Sequence, residues 1–215
     1  MTSLENLGQE NRTFAPSAEF VAQANAKPSL FAEADKDRLT FWANAAEALT
    51  WEKKWDQVLD WKVPFAKWFV GGKLNASYNC LDRHVLEGRG DRVAFYFEGE
   101  PGDTRTITYK DMLRDVSKAA NALTELGIKA GDRVAIYMPM IPVAAVAMLA
   151  CARIGAAHSV VFGGFSADSL ASRIEDAQAK LVITADGGFR KGKASALKPA
   201  LRSMSCSSSV NAPSQ

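Results

Sequence analysis

A long apolar run limits the possible folds of this chain more than any other feature. It comprises the eighteen residues 134–151, which approaches the lower length limit of a membrane-spanning helix. Pro139 and Pro142 divide the run, and proline suits the first turn of a helix but breaks its interior. We therefore expect a buried strand over residues 133–138 and an Ala-rich helix over residues 142–154, rather than a membrane span.

The sequence before this run predicts a hairpin and a long helix. Residues 93–97 and 104–109 surround a cluster of turn residues, which favours a β-hairpin. Thr108 and Asp111 form a near capping box, apolar residues then recur at helical intervals, and Gly127 stands where a left-handed C-cap is wanted. We expect the helix to begin after Thr108 and to end before Gly127.

Strands and helices continue to alternate after the apolar run. Strands are predicted over residues 157–162 and 180–184, with a helix over residues 166–179 between them. Nearly continuous apolar strands separated by helices imply a parallel sheet that is buried on both faces. The predicted fold class is α/β, with part of a doubly wound parallel sheet. Ligands of such sheets bind at the carboxyl ends of the strands, which here are residues 138–139, 162–164 and 184–186.

The first ninety residues differ in character from the rest. Residues 1–30 are polar and lack sustained periodicity, which predicts a flexible arm, and residues 31–90 form a Trp-rich extension. A helix is expected over residues 35–49 because apolar positions recur on one side of it. All five tryptophans fall within 27 residues: Trp42, Trp51, Trp55, Trp61 and Trp68. Aromatic residues at this density usually anchor one segment on another; a platform for stacking sugars or bases is the alternative.

Charge and cysteine content argue against several classes of protein. Lys plus Arg number 26 and Asp plus Glu number 24, so the net charge does not indicate nucleic acid or an anionic membrane as a partner. Cys80, Cys151 and Cys206 lack the spacing of a metal site, and Cys151 is expected to be a buried reduced thiol. The N-terminus lacks the apolar core of a signal peptide, which favours a cytoplasmic location.

Two segments of the chain resemble the AMP-forming acetyl-CoA synthetases of the adenylate-forming superfamily. They are WFVGGKLNASYNCLDRH, residues 68–84, and SVVFGGFSADSLASRIEDAQAKLVITADGGFRKGK, residues 159–193, and the resemblance as a whole runs from Phe20 to Lys198. It implies a reaction in which acetate attacks MgATP to give acetyl-AMP, after which coenzyme A displaces AMP. The resemblance covers the N-terminal part of such an enzyme, and the ATP loop, acyl pocket and catalytic lysine are expected beyond Gln215.

The resemblance also implies part of a coenzyme A site at Gly164, Arg190 and Lys193. In the family, the position matching Gly164 contacts coenzyme A. The cations at the positions matching Arg190 and Lys193 contact the nucleotide end of coenzyme A. The chemistry fits, because a glycine turn before a helix admits a phosphate or pantetheine group to the backbone, and Arg and Lys bind phosphate. Lys191 fills a slot where the family often has a small residue, so its role stays open. A simple joining turn and a solvated cationic loop are the structural alternatives.

Residues 187–193 also fit the phosphate-loop pattern G-x-x-x-x-G-K. The next position departs from it, because Ala194 replaces the hydroxyl residue that would hold magnesium. Pro199 also disfavours a long helix behind the loop. A nucleotide-hydrolysing loop is therefore only an alternative.

No catalytic residue and no metal site is predicted within this chain. His84 and His158 are the only histidines, and nothing near either supplies a metal ligand set. We expect His158 to be a satisfied core histidine and His84 to have a structural role. Arg173 and Asp176 are expected to form a surface pair on one helix.

The predicted organisation ends with a change of character at Pro199. Residues 91–198 are expected to form the first α/β subdomain of an AMP-binding domain, and residues 199–215 a Ser-rich, aberrant tail. We expect the chain to be an N-terminal fragment that is inactive alone. The alternative is a non-catalytic interaction module that associates with an intact synthetase or with itself.

Overall fold

The computed structural model describes residues 12–201, which divide into two compact units. The first unit comprises residues 12–48 and 55–70, and the second comprises residues 49–54 and 71–201. Cys206 and most of the predicted tail lie outside the described residues. The domain boundaries expected at residues 30, 90 and 198 stay predictions.

The first unit contains three short helices and a β-hairpin. Its elements are α1 (Ala18–Gln23), α2 (Pro28–Lys36), α3 (Arg38–Ala46), β1 (Gln57–Lys62) and β2 (Phe65–Val70). The single helix predicted over residues 35–49 is wrong in its bounds. Asp37 separates α2 from α3, because its backbone is non-helical (φ −151°, ψ 87°) and its carboxylate accepts a hydrogen bond from the Thr40 N–H at 3.0 Å. Such capping satisfies a free helix donor and starts a new helix.

Three of the four tryptophans of the first unit, Trp42, Trp55 and Trp68, pack against other aromatic rings, whereas Trp61 is 55% exposed and lies beneath the Arg38 guanidinium. Trp42 meets Trp68 edge-to-face with ring centroids 6.3 Å apart, and Trp55 meets Phe69 at 5.1 Å. These are the distances at which aromatic pairs stabilise one another. The contacts agree with the packing interpretation of the Trp-rich segment.

The second unit carries a hairpin, a parallel sheet and a further hairpin. It begins with π-helical segments at Tyr78–Asp82 and Val85–Arg89. Its regular elements are β3 (Val93–Glu98), β4 (Thr104–Thr108), α4 (Tyr109–Glu125), β5 (Arg133–Tyr137), α5 (Pro142–Ile154), β6 (Ala157–Val160), α6 (Ala167–Ala177), β7 (Leu181–Thr184), β8 (Gly187–Arg190) and β9 (Lys193–Ala196).

The start and end signals of α4 are confirmed. The Asp111 N–H donates to the Thr108 hydroxyl at 3.1 Å, and the Thr108 N–H donates to the Asp111 carboxylate at 3.3 Å. Gly127 has a φ of 85°, which favours glycine. The predicted hairpin before α4 is also present, since β3 and β4 pair antiparallel.

The long apolar run divides into strand β5 and helix α5, as predicted. Pro142 lies in the first turn of α5, and Cys151 within the helix is fully buried with a free thiol. Desolvation raises the pKa of that thiol. No helix among residues 12–201 is long and apolar enough to cross a membrane.

The three central strands form a parallel sheet in the order β6-β5-β7. Helix α5 connects β5 to β6, and helix α6 connects β6 to β7. One core cluster packs α4 and α5 around Val134, and a second packs Leu170 of α6 around Tyr137 and Val161. Because side chains of a strand alternate between its faces, Val134 and Tyr137 lie on opposite sides of the sheet. The predicted α/β, doubly wound arrangement is therefore confirmed.

Strand β6 differs from the prediction of a strand buried on both faces. It is an outer strand of the sheet in the described part of the chain, and its Val160 side chain is 53% exposed. His158 on this strand is also exposed, so its assignment as a core histidine is wrong. An apolar run predicts burial only where the sheet continues on both sides of the strand.

Candidate functional site

The glycine turn after β6 is fixed to the end of the central strand. The Tyr137 hydroxyl, at the end of β5, lies 3.3 Å from the carbonyl oxygens of both Gly163 and Phe165, which share its single O–H donor. Tyr137 is buried, with 2% of its surface exposed. Ser166 then caps α6, accepting the Ser169 N–H at 3.3 Å. The turn therefore lies at the carboxyl edge of the sheet, where the sequence predicted a ligand site.

The predicted cationic loop is instead the hairpin β8–β9. Arg190 pairs directly with Lys193 in its register, and only Lys191 and Gly192 form the turn. Both turn residues have positive φ, 53° and 72°, as a two-residue type I′ hairpin turn requires. Residues directly opposite in an antiparallel pair present their side chains on the same face. The pairing of β8 with β9 therefore places the Arg190 and Lys193 side chains next to each other on one face of the hairpin.

This geometry corrects the phosphate-loop alternative. Residues 187–193 form a strand and a tight turn, and the next element is the strand β9. A phosphate loop needs a helix directly after the glycine-lysine pair, so that the backbone donors converge on one phosphate. That alternative is wrong.

The structure brings Arg190 onto the glycine turn. Its guanidinium lies so close to Gly164 that a Cβ atom added there would overlap Nη1, and this Cβ would also lie 2.7 Å from Cε1 of Phe162. The Arg190 Cζ lies 5.0 Å from the centroid of the Phe162 ring, within cation–π range. Gly164, Arg190 and Lys193, predicted from separate segments, therefore meet at one surface.

The cations of this surface are available to a ligand. Arg190 and Lys193 are exposed, and neither side chain makes an ion pair or hydrogen bond with any other residue among 12–201. The Phe162 ring beside them is 55% exposed. A bare glycine backbone, two unpaired cations and an open aromatic face together suit a phosphorylated ligand with a planar group.

Arg173 and Phe165 belong to the same surface and were missed as site residues. The Arg173 Cζ lies 4.4 Å from the Phe165 ring centroid, and Phe165 meets Phe162 edge-to-face at 6.0 Å. Arg173 also donates to the Ser169 carbonyl at 3.1 Å. The predicted surface pair of Arg173 with Asp176 is wrong, because the guanidinium turns back toward the glycine turn. The acceptor of this hydrogen bond is a backbone carbonyl, which any residue at position 169 would supply, so the sequence carries no specific signal for it.

A second polar cluster lies in segment 68–84, away from these cations in sequence. Asp82 and Arg153 form a bidentate ion pair with distances of 2.7 and 2.8 Å, and the Asn75 amide donates to the Arg153 carbonyl at 3.0 Å. The hydrogen bond to Asp82 raises the pKa of Arg153. These contacts tie the segment to the end of α5 and border a cleft of about 460 Å³.

His84, the last residue of this segment, contacts two other side chains of the protein. Its Nδ1 lies 2.8 Å from the Arg89 guanidinium, and its ring packs against Tyr109 with centroids 4.9 Å apart. Burial, followed by the charges of Arg83 and Arg89, lowers the pKa of His84. The neutral ring accepts a hydrogen bond from Arg89, which agrees with the structural role predicted for it.

Comparison with known protein families shows to which family the chain belongs. The family model described as AMP-binding enzyme matches residues 81–213, more than half of the 215 residues. The chain belongs to the AMP-binding enzyme family. A second model, acetyl-coenzyme A synthetase N-terminus, matches residues 28–80. The first match extends into the Ser-rich segment, whose interpretation as an aberrant tail stays a prediction.

Curated AMP-binding relatives of high identity are named acetyl-coenzyme A synthetase. The one from Streptomyces avermitilis is 66% identical over 200 residues, which cover 93% of this chain and 31% of that protein. The one from Mycobacterium tuberculosis is 61% identical over 198 residues, covering 91% and 30%. The one from Deinococcus radiodurans is 55% identical over 193 residues, covering 88% and 30%. The chain thus spans less than a third of the length of these relatives.

Within residues 12–201, no group of three or more His, Cys, Asp or Glu side chains could hold a metal ion. The surface around Gly164 instead presents guanidinium and ammonium groups, which attract the anionic oxygens of a ligand directly.

Proposed function

We propose that this chain forms the N-terminal part of an acetyl-CoA synthetase. Such an enzyme converts ATP, acetate and coenzyme A into acetyl-CoA, AMP and diphosphate through acetyl-AMP. The chain's own contribution is part of the coenzyme A site, formed by Gly164, Arg190 and Lys193. The observation that carries the proposal is the position of the unpaired Arg190 guanidinium over Gly164. A cytoplasmic location, predicted from the sequence, belongs to the same proposal.

Each of the three residues has a distinct role in binding the nucleotide end of coenzyme A. Arg190 has a planar set of N–H donors, which can bind two oxygens of one phosphate at once. Lys193, beside it across the hairpin, supplies a mobile point charge for a second phosphate oxygen. Gly164 lacks a side chain, so the ligand can approach the backbone without steric conflict.

The isolated chain should bind coenzyme A weakly. All groups of the proposed site lie on one exposed surface, and ordering the long Arg and Lys side chains costs conformational entropy. We expect a dissociation constant that is millimolar at best. A sub-micromolar constant in titration calorimetry would show that the 215-residue chain carries a complete site.

Coenzyme A titrations followed by two-dimensional amide NMR test the assignment. R190M and K193M should each weaken binding by about fivefold or more, because each removes one charge-assisted phosphate contact. R114M is the matched control, since it removes an exposed arginine that pairs with Asp111 on α4 at 2.9 Å. Equal affinities for R190M, K193M and R114M would refute the site.

We also propose that the 215-residue polypeptide does not activate acetate by itself. Acetate-dependent exchange between ATP and diphosphate measures this step directly, with a full-length synthetase as the positive control. No exchange above background is expected. Acetate-dependent exchange by the purified chain would place adenylation chemistry among residues assigned here to the scaffold.

An interaction module is a second candidate, favoured by one specific observation. The outer strand β6 carries Val160, which is 53% exposed, and unpaired strand edges promote association. The partner would be an intact synthetase or a second copy of this chain. Light scattering over a range of concentrations separates the two candidates, since a defined dimer favours the module and polydisperse growth contradicts it.

A further inference from the structure

An acidic side chain occupies the turn of the cationic hairpin. Glu100, from the turn between β3 and β4, accepts a hydrogen bond from the backbone N–H of Gly192 through its Oε1. Gly192 stands between Lys191 and Lys193 in sequence. A carboxylate therefore lies on a backbone donor at the centre of the most cationic stretch of the second unit.

The Gly192 donor is suited to an anion by its backbone conformation. Lys191 and Gly192 both have positive φ, so the peptide N–H at the tip of the turn is directed away from the hairpin ladder. Backbone N–H groups in such turns bind carboxylate and phosphate oxygens alike. The flanking cations strengthen the attraction for either anion.

The contact of Glu100 is replaceable, because the turn that carries Glu100 is held by other hydrogen bonds. The Gly99 N–H donates to the Asp103 carbonyl at 2.7 Å, and the Gly102 N–H donates to the Gly99 carbonyl at 2.8 Å. Glu100 is itself exposed. Its carboxylate can leave Gly192 and become hydrated without unfolding either hairpin.

We propose that the Gly192 N–H is an anion-binding position which the Glu100 carboxylate occupies and from which a phosphate group of the ligand displaces it. The inference rests on the proposed coenzyme A site and adds a competitor to it. Glu100 lowers the affinity for phosphorylated ligands, because its charge must be moved before a phosphate can reach the turn. Removing that charge should therefore tighten binding, which is the opposite of the usual effect of a substitution in a site.

The test compares E100Q with E98Q in the 215-residue chain. Glu98 ends strand β3 in the same hairpin and pairs through its backbone with Thr104, so E98Q makes the same change in net charge without touching Gly192. Coenzyme A is titrated into each variant and followed by amide NMR. We expect E100Q to bind about threefold to tenfold more tightly than the unmodified chain, and E98Q to differ from it by less than about twofold.

A measurement without ligand tests the contact itself. The Gly192 amide resonance should move in E100Q and stay in place in E98Q, because of these two glutamates it is Glu100 that accepts from that N–H. An unmoved Gly192 resonance in E100Q overturns the inference, whatever the titration shows.

The titration separates failure of this inference from failure of the coenzyme A site. If R190M weakens binding while E100Q binds no better than E98Q, the site stands and the competitor is refuted. If E100Q binds more weakly than the unmodified chain, Glu100 only supports the turn and the inference is again refuted. If coenzyme A shifts the unmodified chain and R190M equally, both proposals fail.

Discussion

Replacing Gly164 with alanine should separate the ligand site from the fold. An alanine Cβ at this position would overlap Nη1 of Arg190 and lie 2.7 Å from Cε1 of Phe162, so both side chains must move. The overlapping atoms are the ends of rotatable side chains, and Gly164 does not have a positive φ. The cost in stability is therefore the lost cation–π contact, about 0.5–1 kcal/mol. For a chain of this size that lowers Tm by about 2–4 °C or less.

The cost in ligand binding should be larger than the cost in stability. The displaced Arg190 loses its position for charge-assisted hydrogen bonds, which are worth about 1.5–3 kcal/mol each. G164A should therefore weaken coenzyme A binding by about tenfold or more. The assay is the amide NMR titration, combined with thermal unfolding followed by circular dichroism.

The neighbouring glycine supplies a matched control for G164A. A Cβ at Gly163 would meet Leu197 at 3.5 Å and the Met138 carbonyl at 3.7 Å, which are ordinary van der Waals distances. G163A should leave both affinity and Tm nearly unchanged. If G163A and G164A weaken coenzyme A binding equally, the position of Arg190 over Gly164 is not what the ligand requires, and the reasoning is refuted.

Two further predictions concern the 68–84 segment. R153M leaves the Asp82 carboxylate, which is 15% exposed, without its partner, and it should lower the free energy of unfolding in urea by about 2–3 kcal/mol. The control R114M breaks an exposed pair and should lower that free energy by less than about 0.5 kcal/mol. Equal losses in the two variants would contradict the prediction. The pKa of His84 lies below its ordinary 6.5 in the folded chain. As the pH falls, the unfolded chain therefore binds a proton at this histidine before the folded chain does. Stability should fall as the pH drops below about 6.5 and level off below the folded-state pKa. H84Q should lack this part of the pH dependence in unfolding curves collected from pH 8 to pH 5, and an unchanged curve would contradict the assignment.

The elements with strong local signals were predictable from the sequence. The capping box at Thr108 and Asp111, the C-cap at Gly127 and Pro142 in the first turn of α5 each involve interactions within a few residues. Local hydrogen bonding and fixed φ values determine these features, so they can be recognised without knowledge of the fold. Asp37 carries a comparable local signal as the N-cap of α3, but apolar residues recur at helical intervals on both sides of it and hide the interruption.

The features that depend on distant neighbours were not predictable. The exposure of His158 follows from the outer position of β6 in the sheet, which an apolar run cannot reveal. The hairpin β8–β9 has little sequence signal, because each strand has only four residues and its turn places Lys191, a residue that rarely adopts positive φ, at 53°. Arg190 reaches Gly164 only because that hairpin folds back beside the glycine turn, so the site could be predicted as a set of residues but not as a geometry.

Segment 68–84, the strongest signature of the family, is distinct from the surface proposed to bind the ligand. Asn79 shows why, since its side chain accepts the Thr50 N–H at 2.8 Å and donates to the carbonyls of Thr50 and Asn75 at 2.9 and 3.1 Å. An amide has two donor hydrogens and one acceptor oxygen, so these contacts engage every polar group that the side chain has. Arg190 makes no side-chain hydrogen bond within residues 12–201, so none of its N–H donors is engaged by this part of the chain. A side chain whose polar groups are all satisfied within the protein, as those of Asn79 are, serves the fold, whereas the proposed ligand surface offers donors that are not engaged by residues 12–201.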